Sequence, residues 1–532
     1  MLSSFVQSPD QYPKINNSVI NNLKSNEIND KKDCINESEN ITEKNLVSPT
    51  QNVNLQTSNN TTSNLKNTPN KNYDYIHYCN KCGRQKLHDE WCEKCDREIF
   101  KFNFPNWTSG NEVIDNFIQE TQLSATTKFN FLEWIPFSSL TDIKPIGKGG
   151  FGEVFSAKWI DGPRTKWNAE KEVWERYSNV NVALKSLLEL KEKDFTSELF
   201  KELKSHLMSN DQVVGRFNIL RTYGMTHDPT SNVYMIVMTL ADDGDLSAYM
   251  KKHSSTLTFV KRLDILYDMA TGLCQIHRSG LMHRDLHSGN VMYQRLKRRD
   301  PGRAEEYRFV IGDLGQATPP KKDNGNQVFG ILPYIAPEVL YGKPYTQAAD
   351  VYSFGILMWE ILTGLKAFGD VIHDPSLMLN IAFSEVRPDI PMSTPKLYAD
   401  LMKRCWSGNA EKRPDAHEIY STIGTWLNQC LYVPNSKIAE EFKRGDELLK
   451  TPHLQTLHPN NFRYSTYHDT KALRMKLEEL NEKTSAVIDN KNSSNFEIPD
   501  SIENSLAFEI PDSICNEDSS AFEIPDSIDN AD

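Results

Sequence analysis

The sequence is most informative at first through what it lacks. No apolar run reaches the roughly 20 residues a membrane-spanning helix needs, and the opening MLSSFVQSPDQYPK has no apolar core of the signal-peptide kind. Positive charge is in deficit, with 60 Lys and Arg against 72 Asp and Glu and a net charge of −12. That balance weakens any bulk electrostatic case for nucleic-acid binding and leaves only local basic patches for it. Aromatics are sparse in residues 1–72, which are rich in Asn, Ser, Thr and Lys. Such a stretch cannot bury enough apolar surface to offset the entropy of ordering, so disorder is expected there. Cysteine is scarce too, nine in 532 residues. These absences point to a soluble intracellular protein, in the cytoplasm or the nucleus.

What cysteine there is falls unevenly. Cys34, Cys274, Cys405, Cys430 and Cys515 are scattered and expected to be inert, whereas Cys79, Cys82, Cys92 and Cys95 form C-x₂-C-x₉-C-x₂-C, with Gly83 after the first pair. Two such turns can offer four thiolates to one tetrahedral ion. The spacing predicts a small zinc-ribbon-like module over 73–100, with a closed structural Zn²⁺. Metal binding can supply ~10–16 kcal/mol of apparent folding free energy to so small a unit. Its purpose, protein docking or nucleic-acid contact, is not encoded in the spacing.

Residues 101–139 follow as a lead-in. Val113, Ile114, Phe117 and Ile118 have helical spacing, and Phe129, Phe131, Trp134 and Phe137 are suited to packing on the next domain. From 140 to 427 the composition is globular. Strand-like runs come first (Ile143 to Ile146, Glu153 to Trp159, Asn181 to Leu187, Val233 to Met238). Helical patterns come later (Phe259 to His277, Gln347 to Leu362, Pro395 to Trp406). That order predicts an α+β fold rather than a regular βαβ one. Residues 428–532 return to low complexity, with a helical pattern near Thr470 to Thr484. FEIPDSI then recurs from Phe496, Phe508 and Phe522. The repeats read either as a disordered acidic expansion or as linear motifs that dock a partner through Phe and Ile with multivalent avidity.

Five short motifs in the globular region carry chemistry. Gly147, Gly149 and Gly152, in Ile146-Gly-Lys-Gly-Gly-Phe-Gly-Glu-Val154, allow a tight turn whose N–H groups approach phosphates. Alone, such glycines also suit a plain turn or a dinucleotide site, but the latter wants a helix next, and Glu153 to Trp159 is strand-like. Lys185 ends the apolar run Val182-Ala183-Leu184, where a charge needs a partner. A phosphate and a carboxylate on the next helix would serve, with Glu202 the first choice and Glu198 one turn earlier. His283-Arg284-Asp285-Leu286-His287-Ser288-Gly289-Asn290 places an Asp and an Asn on one loop. Asp285 can accept a hydroxyl proton while Asn290 offers an oxygen to Mg²⁺. Gly312-Asp313-Leu314-Gly315 supplies a second oxygen ligand in Asp313. Ala336-Pro337-Glu338 supplies a carboxylate that is expected to pair with the distant Arg413.

In that order and at those intervals the motifs resemble the eukaryotic protein kinase family. Asp350-Val-Tyr-Ser-Phe-Gly355 and Cys405-Trp406 … Lys412-Arg413-Pro414 look like the tyrosine-kinase-like group, whose members mostly phosphorylate Ser and Thr. The resemblance implies a bilobal fold, a strand-rich lobe and a helical lobe with ATP between. It implies that Gly147, Gly149, Gly152 and Val154 cover the nucleotide, with Lys185 on the α- and β-phosphates and Glu202 bracing it. Met238 would stand at the back of the adenine pocket, Thr239 and Ala241 would contact adenine through their backbone, and Asp245 would meet ribose or peptide. Asp285 would be the catalytic base, Asn290 and Asp313 the Mg²⁺ ligands, and His283, Arg284, Glu338, Asp350 and Arg413 the supporting frame. The expected reaction is γ-phosphate transfer from ATP to protein Ser or Thr. The rivals are Tyr or dual specificity, and a pseudokinase scaffold, which would be expected to lack Lys185, Asp285 or Asp313.

Two positions depart from the pattern. His287 stands where Ser/Thr kinases usually place a Lys that contacts the γ-phosphate, and an imidazole lacks a fixed charge. Ile331 stands where they place a Thr that bonds the catalytic Asp. The expected activation segment has hydroxyls only at Thr318 and Tyr334, so loop phosphorylation is not expected to be the main switch.

Overall fold

The computed structural model describes residues 77–79, 81–86, 91–149, 152–168, 170–186, 200, 203–207, 218–241, 244–296, 306–317, 327–448, 465–470 and 475. The 1–72 segment, the FEIPDSI repeats, most of the Thr470 to Thr484 pattern, and Gly150, Glu198, Glu202 and Thr318 lie outside these.

The strands in chain order are β1 (His77–Tyr78), β2 (Gln85–Lys86), β3 (Glu133–Trp134), β4 (Leu140–Gly149), β5 (Gly152–Trp159), β6 (Arg164–Asn168), β7 (Val173–Arg176), β8 (Val180–Ser186), β9 (Thr222–Asp228), β10 (Val233–Thr239), β11 (Val291–Leu296), β12 (Glu306–Ile311), β13 (Gln327–Gly330) and β14 (Thr466–Asp469). A six-stranded sheet runs β3-β9-β10-β8-β5-β4. Its pairs are antiparallel except β3 on β9. Side chains alternate between faces along a strand, and that period sorts the core. Val182 and Leu184 of β8, with Met235 and Val237 of β10, pack around Trp159 on one face. Ala183, Ile236 and Met238 face the other way, against Leu203, Leu220 and Val310. Lys185 shares the face of Ala183, and its register partners are Val154 and Ile236. The alternation therefore turns one lysine toward the helical half of the molecule.

The helices are α1 (Glu93–Asn103), α2 (Glu112–Ser124), α3 (Leu246–His253), α4 (Phe259–Arg278), α5 (Pro337–Leu340), α6 (Gln347–Thr363), α7 (Pro375–Phe383), α8 (Lys396–Cys405), α9 (Ala416–Tyr432) and α10 (Lys437–Leu448). Helix α6 is buried almost all round, as a central helix must be if it is apolar on every side. It stops at Gly364, which takes the left-handed φ of 75° that favours glycine at this position. Together these elements give the expected bilobal α+β arrangement: a strand-rich lobe and a helical lobe.

The lead-in forms a helix where its spacing predicts one. Asn111 caps α2 by accepting from the N–H groups of Val113 and Ile114. Ile114, Phe117 and Ile118 are buried against the sheet, with Phe117 stacked on Phe200 at 4.1 Å. The chain then adds β3 to the sheet edge. Phe131 closes an aromatic cluster with Trp91 and Phe100, joining the cysteine module to this lobe. The β6–β7 hairpin carries no clean alternation in its sequence. Glu133 is 3% exposed and receives Arg164 at 2.8 Å and Arg176 at 2.7 Å, which ties the hairpin to β3.

Helix α9 runs past position 428, where low complexity is expected to begin. Helix α10 buries Phe442 between Phe259 and Trp426, with ring centroids 5.7 and 5.6 Å away. Farther on, β14 pairs antiparallel with β13, Gly330 opposite Thr466 and Gln327 opposite Asp469.

Candidate active site

The loop carrying Asp285 is held from behind by one carboxylate. Asp350 is fully buried and accepts from the His283 N–H at 2.8 Å, the Arg284 N–H at 2.9 Å and the Tyr345 hydroxyl at 3.0 Å. His277 lies 2.9 Å from the same carboxylate. Burial opposes ionisation of Asp350, but the hydrogen bond and charge of His277 outweigh it and hold the carboxyl below the usual range. Those bonds also keep Arg284 at a left-handed φ of 70°, a conformation of about 1–3 kcal/mol cost that persists only where surroundings enforce it. His283 then reaches the Gly312 carbonyl at 3.0 Å, linking this loop to the one carrying Asp313.

The Asn290 side chain donates to the Asp285 carbonyl at 2.8 Å and lies 3.4 Å from its carboxylate. Its amide nitrogen is thereby committed, and its oxygen end is of the hard kind that could hold Mg²⁺. Lys185 meets Asp313 at 2.8 Å. Partial burial works against ionisation of Asp313, yet the Lys185 charge overcomes it and holds the carboxyl low. Asp313 is itself left-handed, at φ 51°. So the structure brings together Lys185, Asp285, Asn290 and Asp313 by two contacts and one shared loop. It places Gly147, Gly149, Gly152 and Val154 on the paired strands β4 and β5, with Gly147 opposite Val154 and Gly149 opposite Gly152. Gly152 admits no side chain, because a Cβ there would meet the Ser186 carbonyl oxygen at 2.1 Å.

Met238 is buried at the end of β10, next to Thr239, whose N–H bonds the Arg221 carbonyl at 2.9 Å. Ala241 follows in the connection to the helical lobe. Asp245 caps α3, accepting from the Ala248 N–H at 2.7 Å, so one of its carboxylate oxygens already serves the fold. Glu338 and Arg413 form a buried two-point ion pair at 2.6 and 2.7 Å. Glu202, the expected brace for Lys185, falls outside the described residues.

Two side chains at this site escaped sequence reasoning. Ser465, from the far end of the chain, donates its hydroxyl to Asp285 at 2.6 Å and lies 3.4 Å from His287. No local pattern signals it. The second is His206, fully buried; burial first and the Lys185 charge second lower its pKa to about 4. A folded-state value below the ordinary 6.5 makes the neutral ring the stabilising form. That stability is present above about pH 6.5 and is lost as pH falls toward 4. The stability difference between wild type and His206→Gln should shrink by on the order of 3 kcal/mol over that window. Urea unfolding at both ends checks it. The pairwise difference is the quantity to follow, because burial pushes Asp268 up to about 6 and gives it the opposite slope. A difference independent of pH would refute the assignment.

The four module cysteines converge. Their sulfurs all lie within 4.8 Å of one another, with Cys79–Cys95 at 3.7 Å and Cys82–Cys92 at 3.6 Å. These distances are far beyond the ~2.05 Å of a disulfide. They match the edge, about 3.8 Å, of a tetrahedron with the ~2.3 Å bonds of zinc to sulfur. A backbone hydrogen bond from Cys82 lowers the Cys79 thiol to about 6, while burial raises Cys92 and Cys95. Thiolates this close need a cation to ionise together.

A family model described as "Protein tyrosine and serine/threonine kinase" matches residues 140–423, more than half of the chain. The chain belongs to that family. Among curated relatives it is 33% identical over 203 residues to "Serine/threonine/tyrosine-protein kinase HT1" of Arabidopsis thaliana, covering 37% of this chain and 48% of that one. It is 28% identical over 312 residues to "Probable serine/threonine-protein kinase drkD" of Dictyostelium discoideum, covering 58% and 21%. The match spans about half or less of the length of these relatives. No helix among the described residues is long and apolar enough to cross a membrane.

Proposed function

We propose that the chain is an ATP-dependent protein kinase that transfers the γ-phosphate to Ser and Thr hydroxyls, in the tyrosine-kinase-like group. The observation that carries this reading is the meeting of Lys185 with Asp313 beside a loop on which Asn290 is tied to Asp285. A scaffold that only bound nucleotide would have no need of a base aimed at a hydroxyl. Asp285 accepts the proton of the acceptor. Lys185 and the N–H groups of the glycine hairpin hold phosphates. Met238, Thr239 and Ala241 bound the adenine end, and Asp245 keeps one oxygen for ribose or peptide. Asn290 and Asp313 are the oxygen ligands that would hold Mg²⁺, which neutralises charge on the phosphates when bound. Incubation with Mg·ATP and a degenerate peptide library, followed by phosphoamino-acid analysis, should yield phosphoserine and phosphothreonine. Phosphotyrosine alone would overturn the hydroxyl preference.

Cys79, Cys82, Cys92 and Cys95 constitute a structural zinc site. Support comes from sulfur spacing that suits a tetrahedral ion and from four protein ligands, which leave no open position for catalysis. Metal analysis of the full chain should find one zinc, lost in Cys82→Ser/Cys92→Ser. Sub-stoichiometric zinc in the wild type would rule the site out. The domain limits at 73, 101 and 140, and a partner that docks the FEIPDSI repeats, belong to the same reading, whereas the limit expected at 428 falls inside α9. The repeats are supported by their triplicated Phe and Ile alone.

A further inference from the structure

We propose that Ser465 is a phosphorylation site that the chain modifies in cis, delivered to Asp285 by a strand of its own tail. The inference rests on the kinase reading above and adds to it the first acceptor. Its foundation is the Ser465 hydroxyl, 2.6 Å from Asp285 across 180 residues of sequence. That distance is the reach a general base needs to take a proton.

The placement is built rather than incidental. Residues Thr466 to Asp469 add a strand to Gln327–Gly330, a mode in which main-chain bonds give the affinity and side chains the register. His468 fixes the register through the Gly330 carbonyl at 3.0 Å, and the Tyr467 ring lies 5.0 Å from Phe329. Thr466 opposite Gly330 sets Ser465 one residue farther along, at the catalytic loop. A Cβ on Gly330 would itself lie 3.8 Å from the Asp285 carboxylate, so this end of β13 borders the reacting position. The segment thus pairs along the edge of Gln327–Gly330 beside the catalytic loop, where a substrate strand would pair.

The transfer balances with ATP as co-substrate. The Ser465 oxygen forms a bond to the γ-phosphorus while its proton passes to the Asp285 carboxylate. The bond between that phosphorus and the bridging oxygen breaks, and ADP leaves with the electron pair. The product carries about −1.5 to −2 charge at pH 7 directly against Asp285. Repulsion then drives β14 off β13 and frees that edge. Before transfer the tail competes with other substrates, and after it the tail does not.

The contact could instead serve only to position Asp285, replacing the Thr that Ile331 displaces, and the experiment separates the two. Full-length protein is mixed with Mg·ATP and the degenerate peptide library, and phosphosites are mapped over time. Ser465 should be labelled with first-order kinetics, unchanged over an about hundred-fold dilution, because a tethered acceptor sits at millimolar effective concentration whatever the dilution. His468→Pro should slow Ser465 labelling several-fold and raise the initial rate on the library. In the nucleotide-free chain the same variant should speed amide exchange over 327–330. Library labelled with Ser465 bare would overturn the inference and leave the kinase reading intact. Labelling of Ser465 that rises with protein concentration would overturn delivery in cis, as would unchanged exchange in His468→Pro. Failure to label either acceptor would take the kinase reading down as well.

Discussion

Replacing Lys185 by Met should lower peptide phosphorylation by about 10²–10³-fold, the scale on which removing one preorganised charge-stabilising donor acts. The structure adds a reason beyond lost phosphate contact. Lys185 is what holds the Asp313 carboxyl ionised against its own burial. Without that charge, Asp313 binds a proton more readily and is a poorer metal ligand. The two losses share one contact, so they should not add. Lys185→Met/Asp313→Asn should be little worse than the worse single variant, since residues in one ion pair couple by about 0.5–3 kcal/mol. Initial rates of the four forms at saturating ATP provide the cycle. Strict multiplication of the single effects would mean that the two side chains act independently, contrary to the 2.8 Å contact.

Arg413→Ala should cost about 3–5 kcal/mol of stability, the range for removing one partner of a buried ion pair. Arg413 gives two bonds to Glu338 and others to the carbonyls of Ser407 and Ala348. Its side chain has no exposure, and that of Glu338 is 10% exposed. Truncation strands the buried Glu338 carboxylate without its guanidinium partner. Glu338 sits at the start of α5, just after the segment that leads from β13, so the same change should loosen that segment. Urea unfolding midpoints with unchanged m-values would report the loss. A change below about 1 kcal/mol, typical of exposed pairs, would contradict the account of this pair.

The parts of the site that could be read from sequence are those whose chemistry is local. Asp285 and Asn290 lie on one loop, Gly147 to Gly152 on one hairpin, and Lys185 at the end of one apolar alternation. In each, residue type and spacing already fix which groups can meet. The strands from Ile143, Glu153, Asn181 and Val233 and the helices from Phe259 and Gln347 fall close to where their periodicity puts them. What escaped is non-local. The β6–β7 hairpin is secured by Glu133, 31 and 43 residues away from its partners. Ser465 meets Asp285 across 180 residues, from a stretch whose composition reads only as low complexity. The pairing of β14 with β13 comes mainly from backbone groups, which every residue carries, so side-chain pattern could not announce it. His206 likewise looks like any helix residue until its burial beside Lys185 is seen.

The central claim is that Asp285 drives phosphoryl transfer to protein hydroxyls. Its most direct test is single-turnover labelling of the peptide library by wild type and Asp285→Asn, with ATP affinity measured on the same samples. Removing a general base should cut the rate about 10²–10⁴-fold and leave ATP affinity within a few-fold of wild type. Equal labelling by the two proteins would contradict the account.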